Sequence, residues 1–385
     1  MHPFWTYSIE GGPQRVNHSA VIINKDIYMF GGFCSGEDYN TDDADTDWTA
    51  IDIYAFNTEF LRWRRIQQRN EYFENVPYMR YGHTSVAIDE KAYLFGGRSD
   101  LCGASNILYY FDTGNFCWHT PKVCGHLPGA RDGHGMCVAR GNIYIFGGYE
   151  AEVEQFSEET MMLDMRTLTW SLLQTQGQTG LWRDFHTLTA YGDKIYLFGG
   201  RGDDSDNSIS QPYDNDIKVL DLNTLEWSAA AHANQKLPVG RRSHTAFIHE
   251  DSIYIFGGFN SKLNEHYNDL WKFDTKSGLW KEISVHGIGP CPRRRHCCCY
   301  KDNKAYIFGG TSPTPTSHSN QDLIDQSDTH VLDLEPNLKV LCLSVVRELF
   351  RKCYNLDLSC LPVELEYLVK LRNSGITAIR NNNKG

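Results

Sequence analysis

Nowhere in this chain does an apolar run reach the roughly 18 residues needed to cross a bilayer, and its first residues lack a basic stretch followed by an apolar one. These two absences set the expectation of a soluble, unsecreted protein of the cytoplasm and nucleus, without a membrane partner. Positive charge is scarce as well. Thirty-seven Lys and Arg stand against 48 Asp and Glu, a formal net charge of −11, which argues against broad binding to a nucleic-acid backbone. The 12 cysteines are scattered without the spacing of a disulfide framework or a zinc site. Even the consecutive Cys297, Cys298 and Cys299 read as small thiols in a strand in a reduced compartment. No metal or other cofactor is implied. The sequon Asn17-His18-Ser19 falls in a strand and carries no weight.

What the chain does contain, six times over, is one hexapeptide. IYMFGG ends at Gly32, AYLFGG at Gly97, IYIFGG at Gly148, IYLFGG at Gly200, IYIFGG at Gly258 and AYIFGG at Gly310. Alternating aromatic and aliphatic residues read as a strand buried between two layers. The Gly pair that follows allows a sharp turn closed to residues with a Cβ.

Thirteen residues before the first Gly of each pair stands a histidine: His18, His83, His134, His186, His244 and His296. Three residues before each histidine stands an arginine: Arg15, Arg80, Arg131, Arg183, Arg241 and Arg293. Downstream, an Asp or Asn is followed six residues later by Trp, as in Asn57/Trp63, Asp112/Trp118, Asp164/Trp170, Asp221/Trp227 and Asp274/Trp280. A period near 50 with these marks is the kelch signature, one four-stranded propeller blade per repeat. The sixth repeat keeps Asp333 but has Lys339 where Trp should be, and the missing Trp strand stands at the other end of the chain, FWTYSI around Trp5. The expected fold is therefore all-β: a six-bladed kelch β-propeller over residues 1–335, closed by its N-terminal strand.

Segments after each Gly-Gly vary most and are rich in acid: Glu37, Asp38, Asp42, Asp43, Asp45 and Asp47; Glu150, Glu152, Glu154, Glu158 and Glu159; Asp203, Asp204, Asp206, Asp214 and Asp216. They read either as solvated loop acid or as a field that draws basic ligands to one rim. A second ring follows from the recurrent arginines. The residue after each reads, in blade order, Val16, Tyr81, Asp132, Asp184, Arg242, Arg294, and the next Asn17, Gly82, Gly133, Phe185, Ser243, Arg295. Adjacent acids thus face adjacent bases across a six-fold ring. The recurrent Arg and His read as structural, and the variable positions between them as candidates for specificity. Arg98 and Arg201 directly follow their Gly-Gly. Such a ring suits a ligand carrying a negative and a positive group close together.

Beyond Pro336-Asn337 the pattern changes. Leu338, Leu341, Cys342, Val345, Val346 and Leu349 have helical spacing, with Asn337 as N-cap, and a second short helix begins at Leu361-Pro362 and carries Leu365, Leu368 and Val369. Residues 336–371 form this helical segment and 372–385 a polar tail. The helices read as a pair docked on the propeller or as partner-binding boxes. Leu338, Cys342 and Val346, with Leu341 beside them, resemble the elongin-binding box of cullin-2 substrate receptors. Leu361, Pro362, Leu365 and Val369 resemble the cullin-2 box that follows it.

The whole chain thereby resembles the kelch-domain substrate receptors of cullin-2 ubiquitin ligases. GGPQRVNH, VPYMRYGH, GARDGH, WRDFH, GRRSH, CPRRR, GGTSP and SCLP carry the likeness from end to end. The resemblance implies a non-catalytic receptor that works with elongin B/C and cullin-2. It implies recognition, in the central pocket, of substrate C-termini that end in glycine preceded by Arg, Lys or Gln. Arg201, Arg242 and Ser243 match positions used by related receptors, although Arg242 replaces a smaller polar residue. Together with the ring, the expected degron-binding set is Arg201, Arg241, Arg242, Ser243 and Arg294 for the carboxylate, Asp132 and Asp184 for the penultimate cation, and Tyr81. The chain itself ends Lys384-Gly385, a degron-like pair that would allow self-association through the tail. Two alternatives stay open: a kelch scaffold for cytoskeletal or chromatin proteins without a ligase role, and a galactose-oxidase-like enzyme on the same fold.

Overall fold

The computed structural model describes residues 2–34, 49–70, 75–177, 183–202, 213–230, 235–314, 322–352, 358 and 361–370. Six antiparallel sheets of the expected kind succeed one another around a central channel. In the first blade the strands are Ser19–Ile23, Asp26–Phe30, Ile53–Asn57 and Arg62–Arg65, each paired with the next. Blades two to six begin with Tyr81–Ile88, Gly135–Ala139, Thr187–Tyr191, Thr245–His249 and Cys297–Lys301. The hexapeptide supplies the second strand of every blade. In blade five all five residues Ser252–Phe256 are buried, as a strand covered on both faces requires.

The N-terminal strand closes the ring. Phe4–Ile9 runs antiparallel to Thr329–Asp333, pairing Trp5 with Leu332 and Ile9 with Thr329, and becomes the outer strand of blade six. Trp5 thereby occupies the place of the tryptophan absent at position 339.

The repeated letters meet at the junctions between blades rather than within them. The Phe of each Phe-Gly-Gly packs on the Trp of the following blade: Phe30 on Trp118, Phe95 on Trp170, Phe146 on Trp227 and Phe198 on Trp280, with ring centroids 5.4, 5.5, 5.3 and 5.2 Å apart. Phe256 on Trp5 at 5.7 Å and Phe308 on Trp63 at 5.3 Å complete the circle. Such aromatic pairs contribute about 0.5–1.5 kcal/mol beyond the area they bury. The first Gly of the pair makes room for the next blade's imidazole. A Cβ on Gly96 would stand 2.5 Å from the His134 ring, and one on Gly257 2.7 Å from that of His296. Phe-Gly-Gly, His and Trp are therefore one inter-blade joint, which is why their spacing never drifts.

Two helices follow the propeller: α1, Leu338–Lys352, and α2, Val363–Lys370. Asn337 caps α1, its Oδ1 accepting from the Val340 amide at 3.0 Å. Leu343, Leu358 and Val369 form a small core between the helices and Tyr7. Buried Arg347 anchors α1 by donating to the Thr6 carbonyl at 3.0 Å and lying over the Tyr7 ring. On α2, Tyr367 donates to the Phe60 carbonyl at 2.9 Å and accepts from Arg62 at 3.0 Å. No described helix is long and apolar enough to cross a membrane.

Because Trp5 belongs to a junction rather than to a free terminus, Trp5→Ala should cost about 3–5 kcal/mol. Urea unfolding monitored by circular dichroism measures this, with Leu101→Ala, at a 73% exposed site, as the silent control. Equal midpoints for the two variants would refute closure through Trp5.

Candidate ligand-binding channel and rim

At the centre, the second residue after each recurrent arginine donates its amide to the carbonyl of the equivalent residue one blade back. The chain of bonds runs Gly82 to Asn17, Gly133 to Gly82, Phe185 to Gly133, Ser243 to Phe185 and Arg295 to Ser243, at 2.9, 2.8, 2.7, 2.9 and 3.0 Å. Asn17 donates to Arg295 at 3.1 Å, so the hoop has no end. All six residues have φ between 51° and 70°. Glycine adopts this conformation freely, whereas Phe185, Ser243 and Arg295 hold it at a cost of about 1–2 kcal/mol each. Strain of this kind collects where a side chain is needed in one place, and these three line the mouth of a cavity of about 150 Å³ along the propeller axis.

The recurrent arginines and histidines build the walls. Arg80, Arg131, Arg183, Arg241 and Arg293 each donate to the carbonyl of the first Gly of their own blade's pair, at 2.8–3.3 Å. Three of the acids read as rim charge neutralise them: Glu150 and Glu159 bind Arg131 and Asp214 binds Arg183, while Asp52 takes the same part for Arg15. Asp203, Asp204, Asp206 and the acids between Glu37 and Asp47 lie outside the described residues. Arg80 has no carboxylate among the described residues and rests on the Tyr78 ring at 3.8 Å. The histidines are buried and neutral. Burial, then the adjacent arginine, holds His18, His134 and His244 down to about 3. His134, His244 and His296 each bond a threonine of the preceding blade.

This corrects one member of the expected ligand set. Arg241 is fully buried, holds both oxygens of Asp269 at 2.5 and 3.0 Å, and lies over the Tyr267 ring. With four of its five N–H donors committed to Asp269, Gly257 and Val239, it is a beam of blade five.

The residues after the arginines lie at the rim, each bridged across to the residue that follows Gly-Gly. Tyr81 pairs with Arg98, Asp132 with Tyr149, Asp184 with Arg201, Arg242 with Phe259 and Arg294 with Thr311. Acid and base are segregated. Asp132 and Asp184 are buried on blades three and four, each with Oδ1 lacking a hydrogen-bond partner among the described residues. Burial raises the Asp132 carboxyl to about 6; Arg98 opposes the rise and Asp184 adds to it. Arg201 is held by Asp184 at 2.9 Å, so its charge is already half spent. Tyr81 is likewise engaged, donating to Asp100 at 2.8 Å.

On blades five and six, Arg242, Arg294 and Arg295 crowd together. Arg294 lies 4.1 Å from the Phe259 ring centroid and Arg242 6.0 Å. Burial and then the like charges of Arg295 and Arg242 bring Arg294 down to about 10. Arg295 is lowered by burial and by Arg242. The Arg294 Nε is buried without a partner among the described residues. Clustered guanidinium groups that depress one another, one with an unpartnered donor, make a candidate anion site. Arg295 was visible in the sequence ring yet was not placed in the ligand set; its left-handed backbone, which aims it into the channel, has no signature in the letters.

The helix pair divides its predicted box residues. Leu338 (76% exposed), Cys342, Val345 and Leu349 form an outward apolar stripe, whereas Val346 and Leu341 are partly covered. Val369 is buried, Leu361 and Leu365 pack against it, and Pro362 and Val363 remain outside. Lys384 and Gly385 lie outside the described residues.

A closed ring of strand–Gly-Gly–strand–Trp blades with a charged axial mouth defines a kelch-repeat propeller, and the chain belongs to the kelch-repeat family: the KLHDC2/KLHL20/DRC7 Kelch-repeats domain matches over residues 82–310 and 204–341. Within that class the chain is similar to Kelch domain-containing protein 3, at 48% identity over 375 residues for the Rattus norvegicus protein and 47% for that of Homo sapiens, covering 94% of each chain. Host cell factor 2 of Homo sapiens is 32% identical over 270 residues, 66% of this chain and 33% of that one. The solved structure of YjhT aligns with a TM-score of 0.59 over 84% of this chain and 96% of its own, at 19% identity, which bears on the fold alone.

The raised Asp132 carboxyl has a measurable sign. Its folded pKa of about 6 lies above the unfolded value near 3.9, so the native state binds the extra proton between those values. Stability is unaffected below about pH 4, falls as pH rises towards 6, and stays lower above it. Asp132→Asn should therefore stabilise the protein at pH 7.5 by on the order of 2 kcal/mol, a gain that vanishes at pH 4. Thermal melts at the two pH values measure it; an unchanged or lowered melting temperature at pH 7.5 would contradict the assignment.

Proposed function

We propose that this kelch-repeat protein is the substrate-recognition subunit of a cullin-2–elongin B/C ubiquitin ligase, acting in cytoplasm and nucleus without catalysis of its own. Its ligands are protein C-termini ending in glycine, preceded by Arg, Lys or Gln. One observation carries the reading: Arg242, Arg294 and Arg295 crowd together on blades five and six, with Arg294 Nε unpartnered among the described residues, whereas Asp132 and Asp184 on blades three and four each keep an Oδ1 unpartnered among them. A terminal carboxylate suits the first group, and a penultimate cation suits the second. Glycine at the last position lets the backbone approach the strained Phe185 and Ser243 without a side-chain clash. Arg201, already paired to Asp184, acts as a partner of the acid half. The apolar stripe Leu338/Cys342/Val345/Leu349 supports the elongin contact, since an amphipathic helix reaches a partner groove through such a face. Lys384-Gly385 matches the same ligand class, and self-association through the tail is part of the proposal.

A fluorescent peptide ending in Arg-Gly should bind the full chain, and amidating its C-terminus should weaken binding at least 30-fold, equivalent to roughly 2 kcal/mol. Arg242→Ala or Arg294→Ala should lose as much, and Arg98→Ala far less. Removing Lys384-Gly385 should tighten the peptide by relieving competition from the tail. Acid and amide peptides that bind equally would sink the proposal.

For the other end of the molecule, Leu338→Asp should abolish co-purification of elongin C while leaving the melting temperature unchanged, because Leu338 contributes little to the fold. Elongin C retained by this variant would favour a scaffold without a ligase role.

A further inference from the structure

On the face of the propeller remote from the arginine-rich mouth, where blades five and six meet and the chain departs for α1, three metal-ligating side chains converge. His249 ends the inner strand of blade five, Glu250 occupies the turn that follows, and Glu335 directly precedes Pro336-Asn337. One ligand atom of each lies within 4.8 Å of the other two. His249 is 9% exposed, whereas Glu250 is exposed and the Glu335 side chain is 53% exposed.

A chain of hydrogen bonds orients the imidazole, with Nδ1 as a donor. Asn303 gives its Nδ2 to Glu335 Oε2 at 2.6 Å, so its Oδ1 points the other way and accepts from the Tyr300 hydroxyl at 3.2 Å. The Tyr300 proton is thereby committed. Its oxygen, 2.6 Å from His249 Nδ1, is an acceptor, and Nδ1 must be the donor. The other ring nitrogen, Nε2, faces Glu335 Oε1 at 3.9 Å. No lysine or arginine forms an ion pair with Glu250 or Glu335 among the described residues. Three side chains of metal-ligating type, one of them a buried imidazole held by Tyr300, thus face one point.

We infer that His249 Nε2, Glu250 and Glu335 form a site for a divalent first-row transition metal of the zinc class. Imidazole beside carboxylate selects such ions over magnesium or calcium, which prefer all-oxygen shells. Ligand atoms about 2.0–2.2 Å from zinc stand roughly 3.4 Å apart in a tetrahedron, so the two exposed glutamates need to close by about 1 Å. Tyr300 and Asn303 supply the outer hydrogen bonds that hold an imidazole and a carboxylate in ligating orientation. Three protein ligands leave a fourth position for water. The ion would clamp the blade-five turn to the residue from which the helix arm springs, independently of any degron or elongin contact.

The test is cobalt(II) titration of the chelator-treated full-length protein, followed by absorption spectroscopy, with zinc competition. One saturable equivalent with a nitrogen/oxygen-type d–d spectrum, displaced by zinc, is expected. His249→Gln, Glu250→Gln and Glu335→Gln should each weaken it at least tenfold, and Tyr300→Phe, a positioning change, by a similar factor. Glu250 is exposed, so Glu250→Gln decides the matter even if the histidine variant folds poorly. Absence of saturable binding, affinity unchanged in Glu250→Gln, or a thiolate-to-cobalt charge-transfer band from the cysteines would each overturn the assignment.

Discussion

The structure depends on a hoop of six main-chain hydrogen bonds about its axis, Asn17 through Arg295 and back to Asn17. Each link needs a residue in the left-handed region, and each also fixes where one side chain enters the channel. Because the bonds are made by the backbone, the side chains at these positions take no part in closure, although any with a Cβ adds strain. The scaffold therefore leaves six positions around one opening to be filled by Asn, two Gly, Phe, Ser and Arg. The buried Arg-to-glycine-carbonyl bonds and the inter-blade Phe, His and Trp contacts brace the hoop from outside.

Blade-to-blade contacts in repeat proteins are nearest-neighbour terms, and open arrays need polar caps at their ends. Here the N-terminal strand completes the sheet of the last blade, so every Phe-Gly-Gly finds its partner Trp. The same logic explains the neutral histidines. A charged imidazole at each joint would stand beside a buried arginine, and burial together with that arginine keeps the ring uncharged.

Much of this was legible in the letters because the repeat is its own alignment. The blade number, closure through Trp5 and the Asn337 cap follow from spacing alone. What spacing cannot give is pairing. Arg241 and Arg242 are adjacent arginines, yet one is locked to Asp269 inside the blade and the other lies beside Phe259 at the rim. Glu150 and Glu159 look like loop acid in sequence and are counter-ions in space. In α1 both faces carry apolar residues, so periodicity could not tell that Val346 turns towards the propeller while Leu338 and Cys342 turn away. Arg295 escaped because a left-handed backbone at a non-glycine residue leaves no mark in composition.

Closure by the N-terminal strand has a consequence for synthesis. The channel's last link joins Asn17 to Arg295, and the strand carrying Trp5 has no sheet to join until Thr329–Asp333 has been made. A nascent chain emerging from the ribosome thus holds its first strand unpaired while five blades assemble behind it. The complete mouth, with acid and base on opposite sides, comes into being only when the two ends of the propeller meet. A prematurely terminated product is left with an open seam at the mouth, and that seam uncovers the apolar face by which blade one packs on blade six.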